Sequence, residues 1–187
     1  MISEFSVRPK PQNKRAYYYF WAALVAALVI FIVYLIANRY RGLIGLGTIA
    51  CITIAVFIYT KYIAANYIYD ITFDSSSHAV FVVRQQTGKK DTTLTCISLS
   101  GITSVTRLSA EERKKHTTPS GMLKYVYTPT IFPESVLLIT YHSRYEKAEI
   151  YIEATDEFAT LLENYSVIAR TEEQAEAEAE EYKLYKS

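Results

Sequence analysis

From Tyr17 to Thr60 the chain carries charge only at Arg39 and Arg41, and this apolar stretch constrains every fold open to it. Ala16 to Ala37 is uncharged, and its middle, LVAALVIFIVYLI, is almost wholly aliphatic. At ~1.5 Å of rise per residue such a segment covers the ~30 Å hydrocarbon core of a bilayer. Asn38 to Gly42 turn the chain, and Leu43 to Thr60 is again apolar and uncharged. So short a link sets two helices antiparallel as neighbours. The competing reading is a pair of helices buried inside a soluble protein. Against it, about ten Leu, Ile, Val and Phe residues at ~0.3 to 0.6 kcal/mol each favour insertion, and no central charge costing ~2.5 to 3.5 kcal/mol opposes them.

The flanks agree with two membrane spans. Tyr17, Tyr18, Tyr19 and Trp21 gather at one end of the first and Tyr34 and Tyr40 lie towards the other, while Tyr59 and Tyr62 close the second. Amphipathic rings suit the headgroup layer. Arg8, Lys10, Lys14 and Arg15 precede the first span, Arg39 and Arg41 occupy the turn, and Lys61 follows the second. The excess of Lys and Arg outside the turn predicts a two-span protein of the cell membrane with both termini in the cytoplasm. The leader cations have two readings: fixing this topology, or attracting anionic lipid at ~1 kcal/mol each. A cleaved signal peptide is disfavoured by the length of the apolar run, by Ile36-Ala37-Asn38 in place of a small-x-small site, and by the second span. With no lipidation motif at either end, the hairpin is the expected anchor.

The 187 residues leave room beside the hairpin for one small domain of about 100 residues. Twenty Lys and Arg against nineteen Asp and Glu give a net charge of +1, so no nucleic-acid partner is expected. Cys51 falls in the second span and Cys96 in the domain, which predicts no disulfide.

In chain order, residues 1–16 read as a flexible basic leader containing Pro9 and Pro11, and residues 17–63 as the hairpin. In GLIGLG, Gly42 and Gly45 share a helix face and are the expected points of close helix packing. Thr48 and Thr53 are expected to bond back to helix carbonyls. After Lys61 the pattern changes to period two. Tyr67, Tyr69, Ile71 and Phe73 alternate with Ile68, Asp70, Thr72 and Asp74, and AVFVVRQQ, TLTCISL, ITSVTRL, Met122 to Thr128, Ser135 to Tyr141 and Lys147 to Glu153 continue the series. An open antiparallel meander is expected. Ala110 to Ser120 reads as a polar loop with at most one helical turn. Thr155 then caps a helix whose Phe158, Leu161, Leu162, Tyr165 and Ile168 form an apolar stripe. Residues 169–187 form an acidic helical tail with two readings: a solvated extension, or a docking tail for a basic partner.

Seven short strands closed by one C-terminal helix, directly after a two-span hairpin, resemble the bacterial membrane proteins that carry a pleckstrin-homology (PH) domain. The local resemblance lies in YDITFDSSSHAVFVV and in CISLSGITSVTRL, with its Ile-Ser-Leu-x-x-Ile-x-x-Val passage, and covers residues 67–168. It implies a membrane α-helical hairpin plus an α+β soluble domain, the latter a PH-like seven-strand antiparallel barrel closed by a C-terminal helix. Lipid-binding members hold a headgroup with basic residues around the first turn, where this chain has DSSSH.

No reactive constellation accompanies this framework. His78, His116 and His142 lack metal-ligand spacing and read as surface histidines. The spans hold no acid, base or histidine that would relay protons. Arg113, Lys114, Lys115 and His116 form the compact basic patch of the domain, beside Glu111 and Glu112. The patch reads either as a solvated loop or as a contact for the anionic leaflet or an acidic partner surface. The expectation is a non-enzymatic, membrane-anchored interaction module without a cofactor or identifiable small-molecule substrate. It scaffolds a membrane protein complex or assists its assembly, through another membrane protein or a second copy. The alternative is an anionic-lipid sensor at the cytoplasmic leaflet that reads lipid through Arg8, Lys10, Lys14, Arg15 and the patch at 113–116.

Overall fold

A computed structural model of the chain describes residues 3–9, 14–37 and 40–186. Strand β1 (Ser3–Val7) precedes helices α1 (Lys14–Ile36) and α2 (Arg41–Ile58), and a short π-helix, Tyr59–Ile63, ends the hairpin. Lys14–Ile36 and Arg41–Ile63 each have 23 residues and are long and apolar enough to cross a membrane. Arg41 Nε donates to Ala37 O at 3.0 Å, satisfying a carbonyl at the end of α1. Ala16 and Ala27 of α1 and Ala55 of α2 are buried, small residues of the kind that let helices approach closely. Most larger side chains, Val25, Leu28, Leu46 and Ile49 among them, are exposed, which is the reverse of a soluble core helix. Thr48 and Thr53 bond back to Ile44 O and Ile49 O at 3.3 and 2.9 Å, as the sequence predicts.

The domain follows as β2 (Ala65–Phe73), β3 (Ala79–Thr87), β4 (Lys90–Ser98), a 3-10 turn at Leu99–Gly101, β5 (Ile102–Ser109), α3 (Ala110–Lys115), β6 (Leu123–Tyr127), β7 (Ser135–His142), β8 (Lys147–Ile152) and α4 (Asp156–Lys186). Strands stand at all seven positions that the alternation marks. Asp74 Oδ1 accepts from the backbone N–H groups of Ser76 and His78 and builds the first turn, with Ser77 at φ 64°. Gly88, at φ 60°, makes the β3–β4 turn.

Two four-stranded sheets result, in the orders β1-β2-β3-β4 and β5-β7-β8-β6. The expected closed barrel is not formed: neither sheet closes, because β4 and β6 remain edge strands. Nor is the second sheet a meander, since β6 pairs with β8 in parallel while the other pairs are antiparallel. The leader also departs from expectation. Its Phe5 and Val7 register against Ile71 and Tyr69 of β2, so residues on both sides of the hairpin share one sheet.

Tyr69, Ile71, Phe81, Leu99, Ile139, Ile150 and Ile152 form the interior between the sheets. Helix α4 closes one end by burying Phe158 and Leu162 there, and Thr155 Oγ1 caps it by accepting from Phe158 N at 3.3 Å. Ile168 of the expected stripe is exposed, and Ala169 is buried in its place. The helix continues without a break into the acidic segment, whose residues 171–175 are exposed.

Candidate functional site

The open seam between β4 and β6 is the distinctive surface of the domain. Residues 125 and 127 point the same way from β6, and their tyrosine rings stack at 6.0 Å and 4°. Tyr127 OH and Thr95 Oγ1 of β4 stand 2.5 Å apart, a bridge across the seam. Tyr69 OH donates to Tyr127 O at 2.5 Å and accepts from Glu153 N at 3.4 Å, joining both sheets to this point. Tyr125 OH donates to Glu146 Oε1 at 2.9 Å, and that carboxylate raises the phenol above its ordinary range. Burial raises Tyr69 as well. These phenols therefore stay neutral donors near pH 7. A cavity of about 210 Å3 lies between the edges, lined by Thr95, Tyr125, Tyr127, Tyr141 and Glu146. It offers hydrogen bonds and aromatic faces, and Cys96 also lines it. Among the described residues, no group of three or more His, Cys, Asp or Glu comes together to hold a metal.

Helix α3 carries the basic patch and is fixed at both ends. Ser109 and Glu112 form a reciprocal capping box, in which Ser109 Oγ accepts from Glu112 N and Glu112 Oε2 accepts from Ser109 N. Beyond the helix, His116 Nε2 lies 2.8 Å from Glu149 Oε1, and Thr118 Oγ1 donates to Glu149 Oε2 at 2.7 Å. These contacts cover the outer face of β8, so Glu149 and Tyr151 are buried where alternation alone predicts exposure. His116, expected as a surface histidine, is 28% exposed and pairs with the buried Glu149.

The chain matches no protein-family model, no curated protein and no solved structure.

Lys114 and Lys115 are exposed on α3, while Arg113 is half-buried. The Arg113 charge is felt at Tyr151 and Glu153 on the second sheet and at Tyr62, where the second apolar helix ends. Tyr19 of α1 packs edge-on against Phe132 of the β6–β7 loop at 6.1 Å, so that loop reaches α1. Lys14 and Arg15 are exposed in the first turn of α1 and Arg8 is exposed just after β1, whereas Lys10 lies outside the described residues. In the hairpin a Cβ on Gly45 would stand 3.7 Å from Tyr34, and one on Gly47 3.7 Å from Ile30. One on Gly42 would meet nothing within 4 Å, so Gly42 and Gly45 do not pack together against α1.

Sequence reading misses the seam and the Glu149 cluster. Tyrosines two apart in LKYVY mark a shared face, but nothing local to β6 states that β4 lies opposite it.

Proposed function

We propose that this chain is a non-enzymatic interaction module of the cell membrane. Its hairpin is the anchor, both termini are cytoplasmic, and its PH-like domain scaffolds a membrane protein complex or assists its assembly. The observation that carries this reading is the pair of edge strands, β4 and β6, flanking one open seam. Unpaired backbone donors and acceptors along an edge accept an added strand, and flanking side chains select its sequence. An open edge of this kind is a liability unless something uses it.

The test places a photocrosslinking residue at Thr93 on β4 or Val126 on β6 of the full chain in native membranes. Both positions are expected to give the same discrete adduct, and an exposed position on α4, Glu172, is expected to give none. An adduct of twice the chain's mass identifies a second copy as the partner. The absence of any adduct from the seam positions contradicts the proposal.

Three consecutive cations on α3, with Lys114 and Lys115 exposed, favour a second reading, in which α3 rests on an anionic leaflet. A fluorophore at Thr117 of the reconstituted full chain is then more quenched by headgroup-labelled lipid when the vesicles are anionic. High salt and Lys114→Ala with Lys115→Ala both weaken that response. Indifference to both removes this reading.

A further inference from the structure

Between the second apolar helix and β2 the backbone runs as a π-helix over Tyr59–Ile63, closed by Ala64 N donating to Tyr59 O at 2.8 Å. Such departures from α geometry concentrate at functional sites. Here Lys61 Nζ lies 5.7 Å from the Phe57 ring centroid and 5.4 Å from that of Tyr62, so aromatic faces hold the ammonium at the hairpin base.

Beside this lysine a second, more open cavity of about 320 Å3 spans the junction of hairpin and domain. Phe57, Thr60 and Lys61 wall it from the helix end, and Tyr67, Gln85 and Tyr127 from the sheets. Its size is at the low end of the roughly 300–1,000 Å3 of ligand pockets, which suits a headgroup and not a whole lipid. The lining contains one ammonium and no carboxylate. Thr60 Oγ1 is committed to Val56 O at 2.9 Å, which leaves the Lys61 ammonium, the Gln85 amide and the Tyr67 phenol as donors. Burial pushes Tyr67 up to about 12, so its hydroxyl remains a neutral donor. Phe57, over half exposed, continues the apolar surface of α2 up to the cavity mouth.

We propose that this cavity binds the phosphate of an anionic phospholipid, with Lys61 as counter-ion and Gln85 and Tyr67 as hydrogen-bond donors. Its position at the end of an apolar helix selects lipid over free phosphate, because the acyl chains can then lie along α2 past Phe57. The site is separate from the basic patch on α3, and it rests on the hairpin being the membrane anchor.

The test uses the full chain in detergent micelles doped with phosphatidylglycerol or phosphatidylcholine, with retained lipid counted by native mass spectrometry. One phosphatidylglycerol per chain is expected, in clear preference to phosphatidylcholine. Lys61→Gln is expected to reduce that retention about fivefold and Lys61→Arg to preserve it. Tyr67→Phe, which keeps the buried ring, is expected to weaken retention if Lys61→Gln fails to accumulate. Equal retention of the two lipids, or no response to either Lys61→Gln or Tyr67→Phe, overturns the proposal. Displacement by inorganic phosphate overturns the assignment to lipid. Flotation with vesicles separates the two failures: a chain that floats but shows no lipid preference refutes this site alone, and one that does not float refutes the anchor and the site together.

Discussion

Glu149 of β8 and Glu153, one residue beyond the strand, stand four residues apart, and their surroundings move the two carboxyls in opposite directions. Burial by itself raises Glu149, but donation from Thr118, His116 and Tyr151 outweighs it and holds the group below the ordinary value of 4.5. Glu153 is raised by burial, against a single side-chain donor, Thr130 Oγ1 at 2.9 Å. Its Oε1 is buried without a partner.

These shifts set opposite pH dependences. A lowered folded-state value gives stability that is complete above the unfolded value and is lost as pH falls through the folded one. A raised carboxyl costs stability as pH rises through its folded value. Glu149→Gln is therefore expected to cost about 1–3 kcal/mol at pH 7, with its deficit against the parent shrinking as pH falls below about 4.5. The stability of Glu153→Gln relative to the parent is expected to be greatest at neutral pH and to decline in acid. Denaturant unfolding of the full chain in detergent across that range checks both signs.

Arg84 holds two acids of unequal burial. Asp70 is 3% exposed and accepts from Arg84 Nε at 2.6 Å and also from Nη2, while Asp91, 40% exposed, accepts from Nη1 at 2.9 Å. Arg84→Ala strands the buried carboxylate and is expected to cost about 3–5 kcal/mol. Asp91→Ala removes a solvated partner and is expected to cost about 0–1 kcal/mol. The same unfolding measurement separates them, and equal losses contradict this assignment.

Gly101 turns the chain from the first sheet to the second, and a Cβ there would collide with Tyr141 Cε2 and lie 2.9 Å from His142 O. Gly101→Ala is expected to destabilise by about 1–3 kcal/mol, because the carbonyl cannot swing aside as a flexible side chain does. In the hairpin Gly45→Ala meets Tyr34 at 3.7 Å, ordinary contact, and is expected to stay within about 0.5 kcal/mol of the parent. Thermal unfolding of the two variants checks the contrast.

The apolar hairpin and the seven strands after it are legible because burial imposes periods that a few residues already reveal. Partner choice is not encoded that way. Nothing in LKYVY distinguishes a parallel strand beside β8 from a meander, since side-chain alternation is the same in both. SEFSV has too few residues for a period, and its pairing with β2 is decided across the whole hairpin. The outward face of β8 misleads for a physical reason. Glu149 and Tyr151 read as solvated, yet a polar cover supplied by His116 and Thr118 buries them as completely as an apolar one would, by matching their hydrogen bonds. The basic patch is visible as composition, but the capping box that fixes its helix belongs to the folded chain.

The anchoring of the hairpin is tested most directly by fractionating cells that express the full chain. The chain is expected to sediment with membranes at high speed, to stay there through alkaline carbonate washing, and to enter solution only with detergent. A chain that remains in the supernatant without detergent contradicts the anchor and the membrane-bound module built on it.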